Sequence, residues 1–232
     1  MTTLVIAHRT CERDARENSL DGIAVASRSG ADVVEVDARR SRDGTVVLLH
    51  DPLLLRVQHV PAPVHWVGDR RLERLGVPTL ADGLEVAAES GLRVAIDTKD
   101  AGVAEAVLSV VRAAAAVDRV LLWSQHMPVV RSYVRALPDA EVALLRDTFD
   151  DAGHDRLLAD AEAIGARAVS AHQDTVTAAF IARAAERGLA VYCWYQDLAL
   201  QRARLGEVAA AGLAGVVTDW PAAARELLAT AD

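Results

Sequence analysis

Residues 6–51 read IAHRTCERDARENSLDGIAVASRSGADVVEVDARRSRDGTVVLLHD, and three apolar runs in or leading into this stretch each end in reactive side chains. The run Leu4–Ala7 gives way to His8-Arg9, the next carries Glu35 and Asp37, and Val46–Leu49 gives way to His50-Asp51. Apolar runs of this length suggest buried strands. Polar groups at the carboxyl ends of such strands stand where α/β folds keep their active sites. Two histidines with two carboxylates form a set suited to metal-assisted acid–base chemistry.

The alternation continues to the end of the chain. Further strands are expected at Val33–Asp37, Arg93–Asp97, Val120–Trp123, Glu141–Leu145, Ala168–Ser170, Leu189–Cys193 and Gly215–Thr218. Helices are expected at Leu20–Ser29, Thr79–Ser90, Val103–Ala116, Val129–Leu137, Asp155–Ile164, Thr175–Arg187, Leu200–Ala211 and Pro221–Ala229, several with Ser/Thr/Asp starts and Gly stops. Val46–Leu49 reads as an extra strand or a segment hugging the second barrel strand. Repeated β–α units imply parallel strands with right-handed crossovers. Eight of them without an evident linker imply an α/β fold, a single-domain TIM-type (β/α)8 barrel over residues 1–232, more than an open doubly wound sheet. The Pro-, Gly- and charge-containing segment Arg56–Pro78 reads as a long loop at the top of the barrel. Its His59, His65 and Trp66 are either substrate contacts or ordinary loop residues.

Composition narrows the function classes. The chain has 232 residues, 52% hydrophobic, with 33 acids against 25 bases for a net charge of −8. That balance argues against a nucleic-acid binder, which carries a basic patch. It leaves room for an anionic small substrate, because a bound divalent cation reverses the field locally. Two cysteines, Cys11 and Cys193, read as free thiols of a reducing compartment. No signal peptide is visible, and no apolar run approaches the roughly 20 residues of a membrane span. A cytoplasmic protein without stable membrane insertion is the expectation, and no feature fixes its oligomeric state. Phosphate-cradling GxGxxG and GxxxxGK[ST] patterns, CxxC and HExxH are all absent.

Glu35 and Asp37, two apart on a strand, share a face. Inside a barrel they would repel and lose hydration. A divalent cation with oxygen ligands resolves this, as does an ion pair with Arg9, Arg39 or Lys99. Asp97 and Lys99 repeat the spacing, as a third ligand with a phosphate-binding cation or as a surface pair. Arg9 offers a fork of donors suited to phosphate. Asp51 either orients His50 or caps the turn at Pro52. Trp194 is a candidate aromatic wall. Trp123, Ser124, Gln125, His126 and His172 follow strands and either line the mouth or cap loops. Asp219 reads as a cap rather than a catalyst, with Pro221 opening the last helix.

These residues resemble the glycerophosphodiester phosphodiesterase family. Its opening pattern appears as His8-Arg9-Thr10, Glu17-Asn18-Ser19, Gly30-Ala31-Asp32, Glu35-Val36-Asp37, Asp43-Gly44 and His50-Asp51. The likeness continues more weakly through Pro78-Thr79-Leu80, Asp97-Thr98-Lys99, Trp194 and Thr218-Asp219-Trp220-Pro221. It implies a TIM-type barrel that hydrolyses phosphodiesters with Mg or Ca. It further implies His8 and His50 as the acid–base pair, Glu35, Asp37 and Asp97 as metal ligands, and Arg9, Lys99 and Trp194 as substrate contacts. Four features depart from the family pattern. Asp97 stands where most members have Glu, as in spider-toxin-like phospholipase D relatives, and Thr10 stands where a Gly is usual, which would narrow the approach to phosphate. The usual Arg-Thr-Thr-Asn-Gly and Trp-Thr-Val-Asn segments read Arg56-Val57-Gln58-His59 and Trp194-Tyr195-Gln196-Asp197. The resemblance therefore points first to a small glycerophosphodiester. A lysophospholipid or sphingolipid head group, and a phosphate-ligand barrel without turnover, are the alternatives.

Overall fold

The apolar runs become nine strands in the structure, a computed structural model that describes residues 2–11 and 13–230; the expected span 1–232 runs past these at both ends. They are β1 (Leu4–Ala7), β2 (Val33–Arg40), β3 (Val46–Leu48), β4 (Arg93–Thr98), β5 (Val120–Ser124), β6 (Glu141–Leu145), β7 (Ala168–His172), β8 (Ala190–Tyr195) and β9 (Gly215–Thr218). All but β3 pair in parallel, in ring order β1-β2-β4-β5-β6-β7-β8-β9, and pairing of β1 with both β2 and β9 closes the ring. This is the eight-stranded barrel anticipated from the sequence. β3 is the extra strand, antiparallel along the end of β2, with Ala38 opposite Leu48.

The helices are α1 (Leu20–Arg28), α2 (Leu55–Gln58), α3 (Asp69–Arg74), α4 (Leu80–Glu89), α5 (Ala104–Ala113), α6 (Met127–Ala136), α7 (Asp151–Ile164), α8 (Ala178–Glu186), α9 (Leu198–Ala210) and α10 (Pro221–Ala229). All but α2, α3 and α10 are crossovers between barrel strands, and α10 follows the last strand. Their starts follow from side-chain caps: Ser19, Asp150, Thr177 and Asp197 accept from amides three residues on, and Thr79 with Asp82 forms a capping box. Each such cap is worth about 1 kcal/mol. The Asp150 cap starts α7 four residues before the expected Asp155. Among the described residues, no helix is long and apolar enough to cross a membrane.

Strand alternation divides the core. One apolar layer, including Val34, Val36, Ile96 and Leu122, faces the helices. The other, including Ile6, Val33, Ala95, Leu121 and Tyr192, fills the barrel. Gly215 lacks a side chain because the Tyr192 ring occupies its place: a Cβ there would lie 2.8 Å from Cε1. The Tyr192 hydroxyl donates to Glu141, which pairs with Arg93 at 3.3 Å.

Residues 56–78 correct the expectation of a plain loop. They hold most of α2, a 3-10 turn at Val64–Trp66 and α3. Val64, Val67, Leu72 and Val77 bury together with Val47, Leu49 and Leu54 in a small core of their own. Their apolar residues follow neither helical nor strand period, so the pattern gave no sign of it. β7 and β8 each extend two residues past the expected ends, because His172 pairs with Trp194 and Trp194 with Val217. That extension carries Trp194 to the barrel mouth.

Because Gly215 makes room for Tyr192, Gly215→Ala is expected to overpack the barrel and cost about 1–3 kcal/mol. Urea denaturation should show a lower midpoint at unchanged slope; an unchanged midpoint would contradict this packing.

Candidate active site

The carboxylates come together because β2 and β4 pair in register. Asp37 lies opposite Asp97, with Glu35 two residues earlier on the same face. Carboxylate oxygens of Glu35, Asp37 and Asp97 lie within 4.8 Å of one another, and all three residues are buried. The Lys99 ammonium lies between two of them, 2.7 Å from Asp37 Oδ1 and bonded to Asp97 Oδ2. Burial and the nearby Asp37 charge push the Glu35 carboxyl well above the usual carboxylate range. Burial also raises Asp97, against the pull of Lys99. Asp37 stays low: burial opposes ionisation there, but Lys99, His50 and Arg9 outweigh it. Lys99 is held charged by Asp37 and Asp97 despite its own burial.

A strained turn aims the first motif at this cluster. Arg9, Thr10 and Cys11 have φ of 45°, 62° and 69°. Such values are unusual for side-chain-bearing residues, and most of all for a β-branched threonine. The turn brings the Arg9 amide to Glu35 Oε2, to which it donates at 2.7 Å. The Arg9 guanidinium lies 3.7 Å from Asp37 Oδ2 and 3.5 Å from Glu17 Oε2. Thr10 does not narrow the approach to the cluster. Its side chain is fully buried under α1, where Oγ1 accepts from the Ser19 amide at 3.0 Å. Gly22 makes the space, since a Cβ there would lie 2.2 Å from the Thr10 carbonyl oxygen.

Two contacts were missed from the sequence. Asn18, itself at φ 52°, donates through Nδ2 to Asp37 Oδ2 at 2.7 Å and accepts from the Asp37 amide at 2.9 Å. Its place in Glu17-Asn18-Ser19 and the tolerance of Asn for positive φ were the available signals. Asp219 corrects the cap expectation: α10 has no side-chain cap, and Asp219 Oδ1 lies 2.6 Å from His8 Nδ1. Burial alone would lower the His8 imidazole, but the Asp219 bond and the Glu35 charge hold it above its ordinary value.

β3 runs back along β2, so His50 returns to the level of Asp37; the Leu49 amide donates to the Asp37 carbonyl at 2.9 Å. Asp51 Oδ1 lies 2.8 Å from His50 Nδ1, which makes it an orienting group for His50. Arg39, tied to Asp100 at 2.6 Å, donates through Nε to the His50 carbonyl at 2.8 Å.

These elements surround a cavity of about 240 Å³ at the carboxyl ends of the strands, lined by His8, Arg9, Glu35, His50, Asp97, Lys99 and Trp194. Asp37 stands directly behind them. The structure thus brings together the eight residues to which the family resemblance assigned acid–base, metal and substrate roles. Trp123 and Gln125 also line the cavity, whereas Ser124 and His126 bond the Thr98 and Lys99 carbonyls. His172 packs edge-on against Trp194, with centroids 4.4 Å apart. His59, His65 and Trp66 do not line the cavity, and Trp66 is 69% exposed. Arg146, Asp147 and Ser170, which carried no motif in the sequence, complete the far wall with Gln196 from the altered Trp194–Asp197 segment.

The donor set fits a hard divalent cation. Such ions take oxygen ligands, and three buried carboxylates with oxygens this close need positive charge between them. Asp97 Oδ1 has no hydrogen-bond partner among the described residues, which leaves one buried lone-pair donor unspent.

Comparison with known proteins agrees with this geometry. The sequence pattern of the glycerophosphoryl diester phosphodiesterase family matches residues 8–223. The chain is 26% identical over 249 residues to glycerophosphodiester phosphodiesterase GDPD4 of Arabidopsis thaliana, covering 97% of this chain and 73% of that protein. In fold it matches an Oleispira antarctica phosphodiesterase in complex with the product sn-glycerol-3-phosphate, with TM-score 0.84, 21% identity, and 98% and 97% of the two chains covered. It likewise matches a glycerophosphodiester phosphodiesterase from Agrobacterium tumefaciens, with TM-score 0.79, 22% identity, and 97% and 99% covered.

Asn18→Gly keeps the positive φ easy while removing the amide. It leaves the buried Asp37 carboxylate and N–H short of partners and is expected to cost about 2–3 kcal/mol in chemical denaturation. Unchanged stability would show that these bonds contribute nothing to the buried cluster.

Proposed function

The chain belongs to the glycerophosphoryl diester phosphodiesterase family and is a phosphoric diester hydrolase, and on that premise we propose that it cleaves small glycerophosphodiesters to glycerol phosphate and an alcohol, with His8 and His50 as its acid–base pair. The observation that carries the reading is one cavity lined by both histidines, Arg9, Lys99 and two of three buried carboxylates, with the third directly behind. Glu35, Asp37 and Asp97 would hold the divalent cation, Mg or Ca. A cation there supplies Lewis-acid stabilisation of the phosphoryl oxygens. Arg9 and Lys99 bring fixed positive charge to where negative charge develops on phosphorus.

One histidine takes the proton of the glycerol hydroxyl beside the ester as that oxygen bonds to phosphorus. The bond from phosphorus to the departing alcohol breaks, and the other histidine gives its proton to the leaving oxygen. Water then opens the resulting cyclic phosphate, with the proton movements reversed between the two imidazoles. Asp219 and Asp51 each engage Nδ1 of their histidine, so Nε2 is the exchanging nitrogen in both. A cavity of about 240 Å³ with mostly polar walls favours a small diester over a substrate bearing an acyl chain. The cytoplasmic assignment rests on Cys11 and Cys193, both free and buried.

Hydrolysis of a glycerophosphodiester is expected to require added Mg or Ca and to stop with a chelator. His8→Ala and His50→Ala should each lower kcat by about 100-fold or more. Full activity in either variant, or in chelator, would overturn the assignment.

A further inference from the structure

The cavity has a second half that the chemistry above does not use. We propose that its far wall, formed by Gln125, Arg146, Asp147, Ser170, Trp194 and Gln196, is a subsite for the leaving alcohol and takes an uncharged polyol. This rests on the phosphodiesterase reading and deepens it.

Position comes from ring order. His8 follows β1, Glu35 and Asp97 lie in β2 and β4, and in a ring of eight the strands diametrically opposite are β6, β7 and β8. Arg146 and Asp147 follow β6, Ser170 lies in β7, and Trp194 and Gln196 lie in and after β8. Displacement at phosphorus runs roughly in line. The attacking hydroxyl and the departing oxygen each face one histidine, and since both histidines stand on the carboxylate side, the body of the departing alcohol extends into the opposite half of the cavity.

The wall is built rather than incidental. The Arg146 amide donates to the Ser170 carbonyl at 3.0 Å, locking the end of β6 against β7. The Gln196 amide donates to Gln173 Oε1 at 2.9 Å. The Arg146 guanidinium gives one N–H, from Nη1, to Asp160 Oδ2 on α7 at 2.6 Å, and no other acceptor engages it among the described residues. It is therefore anchored from behind with donors left for a ligand.

Chemistry selects the class. Arg146, the two glutamines, Ser170 and Asp147 present donors and acceptors together, as a ring of hydroxyls requires. Asp160 offsets the charge of Arg146, and Asp147 stands exposed at the mouth, so no surplus positive charge awaits a second anion. Trp194 presents one indole, with the edge of His172 against it, and Trp123 is buried against Tyr192. That is not the aromatic cage a quaternary ammonium needs.

The test uses the full chain with Mg or Ca on three diesters: glycerophosphoinositol, glycerophosphocholine and glycerophosphomethanol. The expected kcat/KM for the inositol ester is at least about tenfold above both others. Arg146→Met should lower the inositol-to-methyl ratio of kcat/KM about tenfold. Gln196→Ala, which leaves the Asp160 pair intact, should lower it about threefold or more. A general structural defect would reduce both esters and leave the ratio unchanged. A wild-type ratio near one, a preference for choline, or variants that slow both esters equally would overturn the subsite while leaving the phosphodiesterase reading in place. Hydrolysis of none of the three would overturn that reading, and the subsite with it.

Discussion

Three carboxylates in one buried volume set the terms for everything around them. An ionised carboxylate taken out of water is costly unless cations and donors replace its hydration. Here Lys99 reaches two of the three, Arg9 brings both its amide and its guanidinium, and Asn18 grips Asp37 from two sides. The left-handed turn at Arg9–Cys11 exists in this setting: it spends backbone strain to aim one amide at Glu35. The Thr10–Gly22 pairing follows in turn, since a threonine in that turn is accommodated only where the facing helix carries no side chain.

Closure of the barrel supplies what no local segment can. Asp219 and His8 are 211 positions apart and meet because β9 pairs with β1. The same closure sets the two halves of the cavity face to face. The histidine–carboxylate wall and the far wall are consequences of strand order, with register deciding which side chains point in. Gly215 and Tyr192 fill the barrel below and give the site a solid floor.

Strand-borne features were legible in the sequence, and closure-borne ones were not. Glu35, Asp37, Asp97 and Lys99 could be placed on one face because a strand repeats every two residues, and the His-Arg and His-Asp pairs could be placed at strand ends because apolar runs stop there. Asp219 was read as a cap because Asp before Pro at a helix start has that local meaning; its real partner lies at the opposite end of the chain. Asn18 was visible within a motif, but its grip on Asp37 depends on a φ that the sequence only permits. Arg146 sits in no pattern, and only the barrel makes it face the site. The small core of residues 56–78 escaped for a related reason: Val64, Val67, Leu72 and Val77 gain meaning from Val47 and Leu49, which belong to the preceding strand and its end.

The central claim is that the three carboxylates form a cation site which Lys99 now partly neutralises. A crystal structure with Ca and glycerol phosphate tests it most directly. The account predicts an ion about 2.3–2.6 Å from oxygens of Glu35, Asp37 and Asp97, with the phosphate between it and Arg9. Phosphate bound with no ion among these carboxylates, and Lys99 still bridging Asp37 and Asp97, would contradict it.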